Sequence, residues 1–253
     1  MLADGSARSL LRKNLRRRSL SAAALRAKPN FLPDPRREPD AYASLAGGEF
    51  GVPTVLAQGA DWLLLEHVGG TVLSEIGEVV EWQRAARWLT RLHGSFAHAP
   101  PDQPSLIQYD GDYYSIWPRR AREHVGPALD VPLDGYERVV ERLAALPRTF
   151  VHGEFYASNI LVAGDRVAAV DWEMAGVGTG LLDLAALTSG TWEEGDRRAI
   201  EDGYGPVDEE ALMCCRLHLA MQWLGWSTAW LPPAEHAHDW LREAVELRER
   251  LSL

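Results

Sequence analysis

The sequence predicts an α+β fold of two lobes, with a small, abbreviated strand-rich N-lobe followed by a larger, mainly helical C-lobe. Two observations predict this class. Residues 52–70, VPTVLAQGADWLLLEHVGG, hold two short apolar runs separated by the turn signal QGAD. From Val79 onward, apolar residues recur at helical spacing, interrupted by one small hairpin pattern. We expect residues 1–70 to form the first lobe, residues 71–253 the second, and a ligand cleft to lie between them.

Short elements are expected in the N-terminal part. Residues 1–30 are weakly patterned and compatible with small strands around turns. Residues 37–45, REPDAYASL, predict a short helix, and residues 62–66 predict the second strand of the hairpin. The chain shows no internal repeat and no long low-complexity tract, so these elements follow one another directly.

Helices dominate the predicted C-lobe. Residues 78–96 place Ala85, Trp88 and Leu92 at helical spacing before Gly94 ends the pattern. Residues 97–115, rich in Pro, Asp and Tyr, predict a loop, and residues 134–146 predict a helix that Pro147 stops. After Leu181 we expect helices with turns at 203–206 and 231–234.

Composition and charge exclude several functional classes. The 253 residues suffice for a sizeable core, and the apolar (46%) and charged (25%) fractions are those of an ordinary globular protein. Residues 1–40 hold ten Lys/Arg and four Asp/Glu, whereas the remainder holds sixteen and thirty-two. An acidic body argues against a nucleic-acid partner. The acidic charge of residues 41–253 would suit a cationic acceptor, but a need for solubility explains the same charge equally well.

The sequence also indicates the compartment. No apolar run approaches the ~18–20 residues of a membrane span, and we identify no signal peptide. The adjacent Cys214 and Cys215 are poorly placed for a mutual disulfide, and two thiols do not make a zinc site. We expect buried, reduced cysteines in a cytoplasmic protein without a membrane partner; the oligomeric state stays open.

The chemistry is concentrated in FVHGEFYASNILV, residues 150–162. Glu154 follows His152 and Gly153, Asn159 lies five residues further on, and a predicted hairpin returns the chain to Asp171. Phosphoryl transfer needs an acid to orient the acceptor hydroxyl, oxygen ligands for Mg²⁺ and a cation on the phosphates. The spacing therefore predicts a phosphotransferase in which Asn159 and Asp171 come together.

These motifs resemble the aminoglycoside phosphotransferase and choline kinase-like family. The resemblance is carried by HGEFYASNILV and VAAVDWEMAGVGTGLLDLAAL; it is clear over residues 80–250 and thinner over 1–70. It implies a bilobal protein-kinase-like fold that uses ATP and Mg²⁺. By position, Glu154 matches the acid that orients the acceptor, and Asn159 and Asp171 match the metal ligands. His152 matches a residue that positions the loop, and Asp183 one that anchors the loop backbone.

The resemblance also implies residues that bind the nucleotide. A phosphate-binding lysine should pair with a helix glutamate; we expect Lys28 with Glu38, with Lys13 as the alternative, because the chain has only these two lysines. The backbone from Glu66 to Val68 is expected to meet the adenine, and N–H groups near Gly5 and Ser6 the phosphates. Glu173 is expected either to assist the metal through water or to be structural.

Glu154 departs from the His-Gly-Asp pattern that the family usually shows. Glu is one methylene longer than Asp but has a similar reference pKa, so we expect an active site that accommodates the extra reach. Three functions stay open: transfer to a small molecule (antibiotic, amino alcohol or sugar), transfer to Ser/Thr of a ribosomal peptide natural-product precursor, and a nucleotide-binding pseudokinase or scaffold.

Other patterns favour ordinary roles. Three tryptophans at helical spacing, Trp223, Trp226 and Trp230, are expected to lie in the core or in the wall of the cleft. Alternatively, they form an aromatic surface that binds a flat or cationic acceptor. His236 and His238 lack an evident third zinc ligand and are expected at the surface. The absence of a Gly-x-Ser-x-Gly motif argues against a nucleophile-elbow hydrolase.

Overall fold

The computed structural model describes residues 9–16, 28–47, 50–226 and 238–253. Gly5, Ser6, Trp230, His236 and the turn expected at 231–234 lie outside these ranges. The N-terminal elements are the strands β1 (Leu10–Asn14), β2 (Val55–Gly59) and β3 (Trp62–Glu66) and the helix α1 (Arg37–Ser44). The predicted helix and hairpin are confirmed.

The first sheet has the order β1-β3-β2, with both pairs antiparallel. Burial alternates along β3, so that Leu63 and Leu65 are buried. In β1 only Lys13 is half-buried, and it stands opposite Leu63 in the register. Residues directly opposite each other project from the same face of a sheet. Lys13 therefore belongs to the face that Leu63 and Leu65 bury.

Two further small sheets follow. Strand β4 (Thr71–Val72) pairs with β7 (Ile160–Ala163), which pairs with β8 (Arg166–Ala169). The third sheet has the order β5-β9-β6, formed by Ile107–Gln108, Gly176–Gly178 and Thr149–Val151. The hairpin expected between Asn159 and Asp171 is confirmed. The division at residue 70 stays a prediction.

The helices of the second part pack around these sheets. They are α2 (Val79–Ser95), α3 (Gly111–Val125), α4 (Asp130–Leu133), α5 (Tyr136–Ala145), α6 (Leu181–Leu187), α7 (Glu194–Tyr204), α8 (Glu209–Gly225) and α9 (Trp240–Leu251). Helix α8 is buried on nearly all sides and carries the free cysteines Cys214 and Cys215, as expected. No helix in the described ranges is long and apolar enough to cross a bilayer.

One loop prediction is wrong. Residues 97–115 were expected to be irregular, but α3 begins at Gly111. The Asp110 carboxylate accepts a hydrogen bond from the Tyr113 amide and caps the helix, while Tyr114 and Trp117 are fully buried. Pro118 inside the helix and the Asp- and Tyr-rich start conceal the helical pattern.

Candidate active site

The loop after β6 is fixed by one buried carboxylate. Asp183, on α6, accepts hydrogen bonds from the backbone amides of His152 and Gly153, both at 2.8 Å. The ring Nε2 of His93 lies 3.2 Å from the same side chain, which has no exposed surface. The expected anchoring of the loop backbone by Asp183 is confirmed, and it sets the direction in which the next residue leaves the loop.

Gly153 is required by space as well as by conformation. Its φ of 82° lies in the left-handed region. A Cβ at this position would stand 2.1 Å from the hydroxyl of Tyr109 and 2.3 Å from the carbonyl oxygen of Met174. These two groups are hydrogen-bonded to each other at 2.6 Å, so neither is free to withdraw. The close approach brings the loop against the segment that follows Asp171.

His152 has a positioning role in the geometry. Its Nδ1 accepts a 3.3 Å hydrogen bond from the Glu154 amide, and its Nε2 lies 3.0 Å from the carbonyl oxygen of Val170. A neutral ring with its proton on Nε2 satisfies both contacts. Burial lowers the pKa of His152, which favours that neutral form. The ring thus ties the Glu154 turn to the end of β8.

Glu154 occupies a half-buried position in the turn. Its carbonyl oxygen accepts hydrogen bonds from the Tyr156 amide, at 2.7 Å, and from Asn159 Nδ2, at 3.0 Å. Burial raises the pKa of its carboxyl to about 8, and the negative charges of Glu173 and Asp171 contribute to the same effect. A carboxyl that titrates close to neutral pH can take up a proton during a reaction.

Asn159 and Asp171 are brought together by the hairpin. The Val170 amide donates to the Asn159 carbonyl at 2.9 Å, which continues the β7–β8 ladder by one step. Asp171 follows with φ 64° and ψ 64°, a left-handed conformation that ends the strand sharply. The side-chain NH₂ of Asn159 is used by the Glu154 carbonyl, which leaves its amide oxygen as the group to offer a ligand.

This donor set fits Mg²⁺. An amide oxygen and a carboxylate are hard ligands, and phosphate oxygens and water complete such sites. The described residues include no cluster of three or more His, Cys, Asp or Glu that would hold a metal by itself. Burial works to raise the pKa of Asp171, but the charge and hydrogen bond of Lys13 outweigh it and lower the pKa, so the carboxylate is ionised.

The lysine beside Glu38 is Lys13. Its Nζ lies 2.7 Å from Glu38 and 2.7 Å from Asp171. The expected pairing of Lys28 with Glu38 is wrong, and the alternative, Lys13, forms it. Burial alone would lower the pKa of Lys13, but the two carboxylates outweigh that effect and raise it. Lys13 therefore connects β1 and α1 with the end of the β7–β8 hairpin.

Lys28 lies in the same cleft and pairs with Glu173. Both residues line a cavity of about 250 Å³ together with Lys13, Glu38, Asp171 and Trp226. Its described lining thus holds three cations, the two lysines and Arg16, and four carboxylates, those of Asp34, Glu38, Asp171 and Glu173. Trp226 stacks in parallel on Trp117 at its margin, whereas Trp223 stacks on Trp240. His238 pairs with Glu243 and takes no part in the cleft.

Two arginines with supporting roles were not anticipated. Arg37 is 6% exposed and donates to the carbonyl oxygens of Leu32, Ser105 and Glu173, so it joins α1 to both sides of the cleft. Arg166 makes a two-pronged contact with Glu66, and its hydrogen bonds lower the pKa of Glu66 to about 2. Neither arginine stands in a recognisable motif.

The segment expected to meet adenine leaves β3 at Glu66. The Glu66 side chain is held by Arg166 and Thr54, and Val68 is buried. The His67 amide donates to Ser9 at 3.2 Å. The role of Glu66–Val68 in binding a nucleotide stays a prediction, and Gly5 and Ser6 lie outside the described residues.

The two-part α+β fold, the lysine–glutamate pair and the Glu–Asn–Asp hairpin together define a kinase-like phosphotransferase. A family model described as the phosphotransferase enzyme family matches residues 10–218. The chain belongs to that family, and it is a phosphotransferase. No curated protein matches the chain at a significant level.

Solved structures agree with the fold. Choline kinase LicA from Streptococcus pneumoniae is 12% identical with a TM-score of 0.68, covering 96% of this chain and 86% of its own. A choline/ethanolamine kinase family protein from Mesorhizobium loti is 19% identical with a TM-score of 0.61, covering 87% and 80%. Aminoglycoside phosphotransferase APH(3'')-Id from Streptomyces rimosus, in complex with ADP and streptomycin, is 22% identical with a TM-score of 0.59, covering 89% of each chain.

Proposed function

We propose that the protein is an ATP- and Mg²⁺-dependent kinase that transfers the γ-phosphoryl group to a hydroxyl of a small molecule such as an antibiotic, an amino alcohol or a sugar. The observation that carries the proposal is the position of Lys13, which lies 2.7 Å from both Glu38 and Asp171 in one cleft. The similarity to structures described as choline kinase and as a complex with ADP and streptomycin supports the substrate class.

The residues divide into phosphate-binding and acceptor-binding groups. Lys13 contacts the phosphates while Glu38 holds its ammonium in place. Asn159 and Asp171 are the ligands for Mg²⁺, which when bound neutralises phosphate charge. Lys28, which pairs with Glu173, is a second cation for the phosphates. Glu66–Val68 and the Gly5–Ser6 segment complete the nucleotide site as its adenine and phosphate contacts.

Glu154 orients the acceptor. The Asn159 side chain donates a hydrogen bond to the Glu154 carbonyl oxygen. The same turn therefore positions both the acid, Glu154, and the metal ligand, Asn159. The hydroxyl of the acceptor donates a hydrogen bond to the Glu154 carboxylate. Its proton passes to that carboxylate as the acceptor oxygen bonds to the γ-phosphorus, while the bond from the γ-phosphorus to the bridging oxygen of the β-phosphate breaks and ADP leaves. The loop contacts of His152 and Asp183 keep the acid fixed while this occurs.

The charge of the cleft favours a cationic acceptor. Asp171 and Glu173 are close enough for their negative charges to help raise the pKa of Glu154, and the chain carries a net charge of −10. An amino group on the acceptor would be attracted to this region, and Trp226 offers an aromatic surface at its margin. A neutral sugar would lack that contribution to binding.

The decisive experiment measures product with an acceptor panel. Purified protein is incubated with ATP and Mg²⁺ together with amino alcohols, aminoglycosides, sugars or Ser/Thr peptides, and phosphorylated products are identified by mass spectrometry. We expect a small cationic alcohol to be phosphorylated. Phosphorylation of peptides alone would assign the peptide kinase function. Nucleotide binding without any product across the panel would indicate a pseudokinase and overturn the proposal.

The metal assignment has its own matched variants. Asp171→Asn keeps the shape of the side chain but removes its charge, so we expect at least a ~100-fold loss of Mg²⁺-dependent turnover. Asp165→Asn, the same change in the exposed turn between β7 and β8, is the control. Equal turnover of the two variants would refute the role of Asp171.

A further inference from the structure

A second cavity lies in the helical part of the molecule, and none of its described lining residues also lines the cleft. It has a volume of about 190 Å³ and is bounded by the turn after α6 and by helices α7, α8 and α9. A single water needs only about 15 Å³, so the space accommodates a larger group. Its described lining includes four arginines, namely Arg197, Arg216, Arg242 and Arg250.

The arginines outnumber the carboxylates that could neutralise them. Arg216 pairs with Glu201, Arg242 with Glu246, and His238 with Glu243. Arg197 and Arg250 have no carboxylate within ion-pair distance among the described residues. This local excess of positive charge stands in a chain whose net charge is −10. The positive charge is therefore specific to the lining of this cavity and is opposite in sign to the net charge of the chain.

Two of the guanidinium groups are placed for a ligand inside the protein. Arg216 is only 8% exposed, and Arg197 is half-buried. The Nε atoms of both are buried and have no hydrogen-bond partner in the described part of the chain. Leaving such donors unpaired is costly, and an oxyanion in the cavity would satisfy them.

Other contacts hold both side chains in position. Arg197 donates to the carbonyl oxygen of Gly190 at 2.7 Å, and Arg216 donates to the hydroxyl of Thr188 at 3.1 Å. Burial lowers the pKa of Arg197, and the neighbouring charge of Arg216 adds to that effect. Two guanidinium groups that repel each other yet stay together form a preorganised site for an anion.

We propose that this cavity is an anion site that binds a phosphate group between Arg197 and Arg216, with Arg250 at its exposed rim. The planar fork of arginine suits the oxygens of phosphate, and pairs of this kind give short, charge-assisted hydrogen bonds. The ligand would be inorganic phosphate or the phosphate of a monoester. Its binding would connect α7, α8 and α9.

The test measures the binding of inorganic phosphate and of methyl phosphate to the protein. Binding is detected as broadening of the ³¹P NMR line of each ligand, at an ionic strength held constant with chloride. We expect saturable binding to the wild-type protein and at least tenfold weaker binding to Arg197→Gln. Arg198→Gln is the matched control, because Arg198 is the next residue of α7, lies exposed and pairs with Glu209. Tighter binding of methyl phosphate would identify a monoester as the ligand, and tighter binding of the inorganic ion would identify free phosphate.

Two further variants keep the result decisive. Lys13→Met weakens phosphate binding in the cleft only. If Lys13→Met loses phosphate binding while Arg197→Gln keeps it, the phosphate binds in the cleft, and the proposal is overturned. Absence of saturable binding to the wild type would also overturn it. If Arg197→Gln does not fold, Arg250→Gln at the exposed rim takes its place. We expect about threefold weaker binding there, and unchanged binding would contradict the site.

Discussion

The ammonium of Lys13 lies 2.7 Å from the carboxylate of Glu38, whose side chain is only 3% exposed. Lys13 is the one cation within ion-pair distance of Glu38 in the described part of the chain. Burial raises the pKa of Glu38, and the charge of Lys13 opposes that effect. The pair thus has two consequences: it places a cation in the cleft, and it makes burial of Glu38 tolerable.

These two consequences can be separated by mutation. Lys13→Met should reduce turnover at least ~100-fold and lower the free energy of unfolding by about 3 kcal/mol, because Glu38 is left buried without its partner. Lys13→Met combined with Glu38→Gln should recover most of the stability but none of the activity. Urea unfolding and steady-state turnover measure the two quantities.

Arg12→Gln is the control for the Lys13 variants. Arg12 precedes Lys13 on β1 and is exposed, with its guanidinium 5.6 Å from the centre of the Trp62 ring. Its loss should therefore cost at most about 1 kcal/mol of stability and leave turnover unchanged. Stability that stays low in the double variant would mean that Lys13 is needed for packing in β1 rather than for its charge. Turnover that recovers would remove Lys13 from the phosphate site.

The identity of this lysine shows where prediction from sequence ends. The hairpin and its two polar ends follow from local spacing, and the anchoring role of Asp183 is implied by the family resemblance. These features are found in the structure. The partner of Glu38 cannot be predicted from local spacing, because it depends on which face of the β1–β3 pair each side chain projects from. LLRKN carries no alternation that reveals the face, whereas Lys28 stands closer in sequence to the helix and suggests the wrong pair.

Supporting residues escape prediction for a related reason. Arg37 acts by donating to three carbonyl oxygens from distant parts of the chain. Backbone acceptors have no sequence signature, since every residue has one. Helix α3 was missed because its stability comes from burial of Tyr114 and Trp117 in the folded protein, not from local propensity.

Lys28 should affect nucleotide affinity without much effect on stability. Its partner Glu173 is about a third exposed, so the ion pair itself contributes roughly 1 kcal/mol or less. Lys28→Met should weaken ATP binding about tenfold by removing a phosphate contact. Glu173→Gln should strengthen metal-free ATP binding because it releases Lys28. Calorimetric titration with ATP in the presence of a chelator measures both.

A matched variant tests the specificity of that effect. Arg36→Met removes an exposed cation that pairs with Asp34 near the entrance, and we expect unchanged affinity. If Lys28→Met and Arg36→Met weaken binding equally, the effect is general electrostatic attraction. If Glu173→Gln weakens metal-free binding, Glu173 itself contacts the nucleotide, and the release of Lys28 is not the controlling event.

Glu154 should make stability depend on pH. Because its pKa is raised to about 8 in the folded protein, the folded state binds a proton that the unfolded chain has already released above about pH 4.5. Its contribution therefore lowers the free energy of unfolding as pH rises from about 5 to 8. Glu154→Gln removes that titration and should gain on the order of 2 kcal/mol over the wild type across this window.

The comparison is made without nucleotide or metal, in chelator, by urea unfolding at several pH values. Other titrating groups contribute to both proteins, so the difference between them isolates Glu154. A difference that does not change between pH 5 and pH 8 would contradict the raised pKa. Glu154→Asp should keep the titration and at least part of the turnover if the loop tolerates either acid, and its inactivity would show a site built around the longer side chain.

Gly153 combines a left-handed backbone with an obstructed Cβ position, and substitution separates the two effects. Gly164, in the β7–β8 turn, has φ 58° and open space around its Cβ, so Gly164→Ala should cost only about 1–2 kcal/mol for conformation. Gly153→Ala should cost more, because its methyl group meets the Tyr109 hydroxyl and the Met174 carbonyl. Urea unfolding of the two variants gives the difference directly.

Tyr109→Phe makes the argument testable at the level of one atom. Removing the hydroxyl relieves one of the two close approaches, whereas the backbone oxygen of Met174 stays in place. In the Tyr109→Phe background, Gly153→Ala should therefore lose less stability than in the wild type but still more than Gly164→Ala. Turnover should fall with either form of Gly153→Ala, since displacing the loop moves Glu154 relative to Asn159. If the stability changes of Tyr109→Phe and Gly153→Ala are additive, the new methyl group at position 153 does not contact the Tyr109 hydroxyl. Glycine would then be required at this position by its backbone conformation alone.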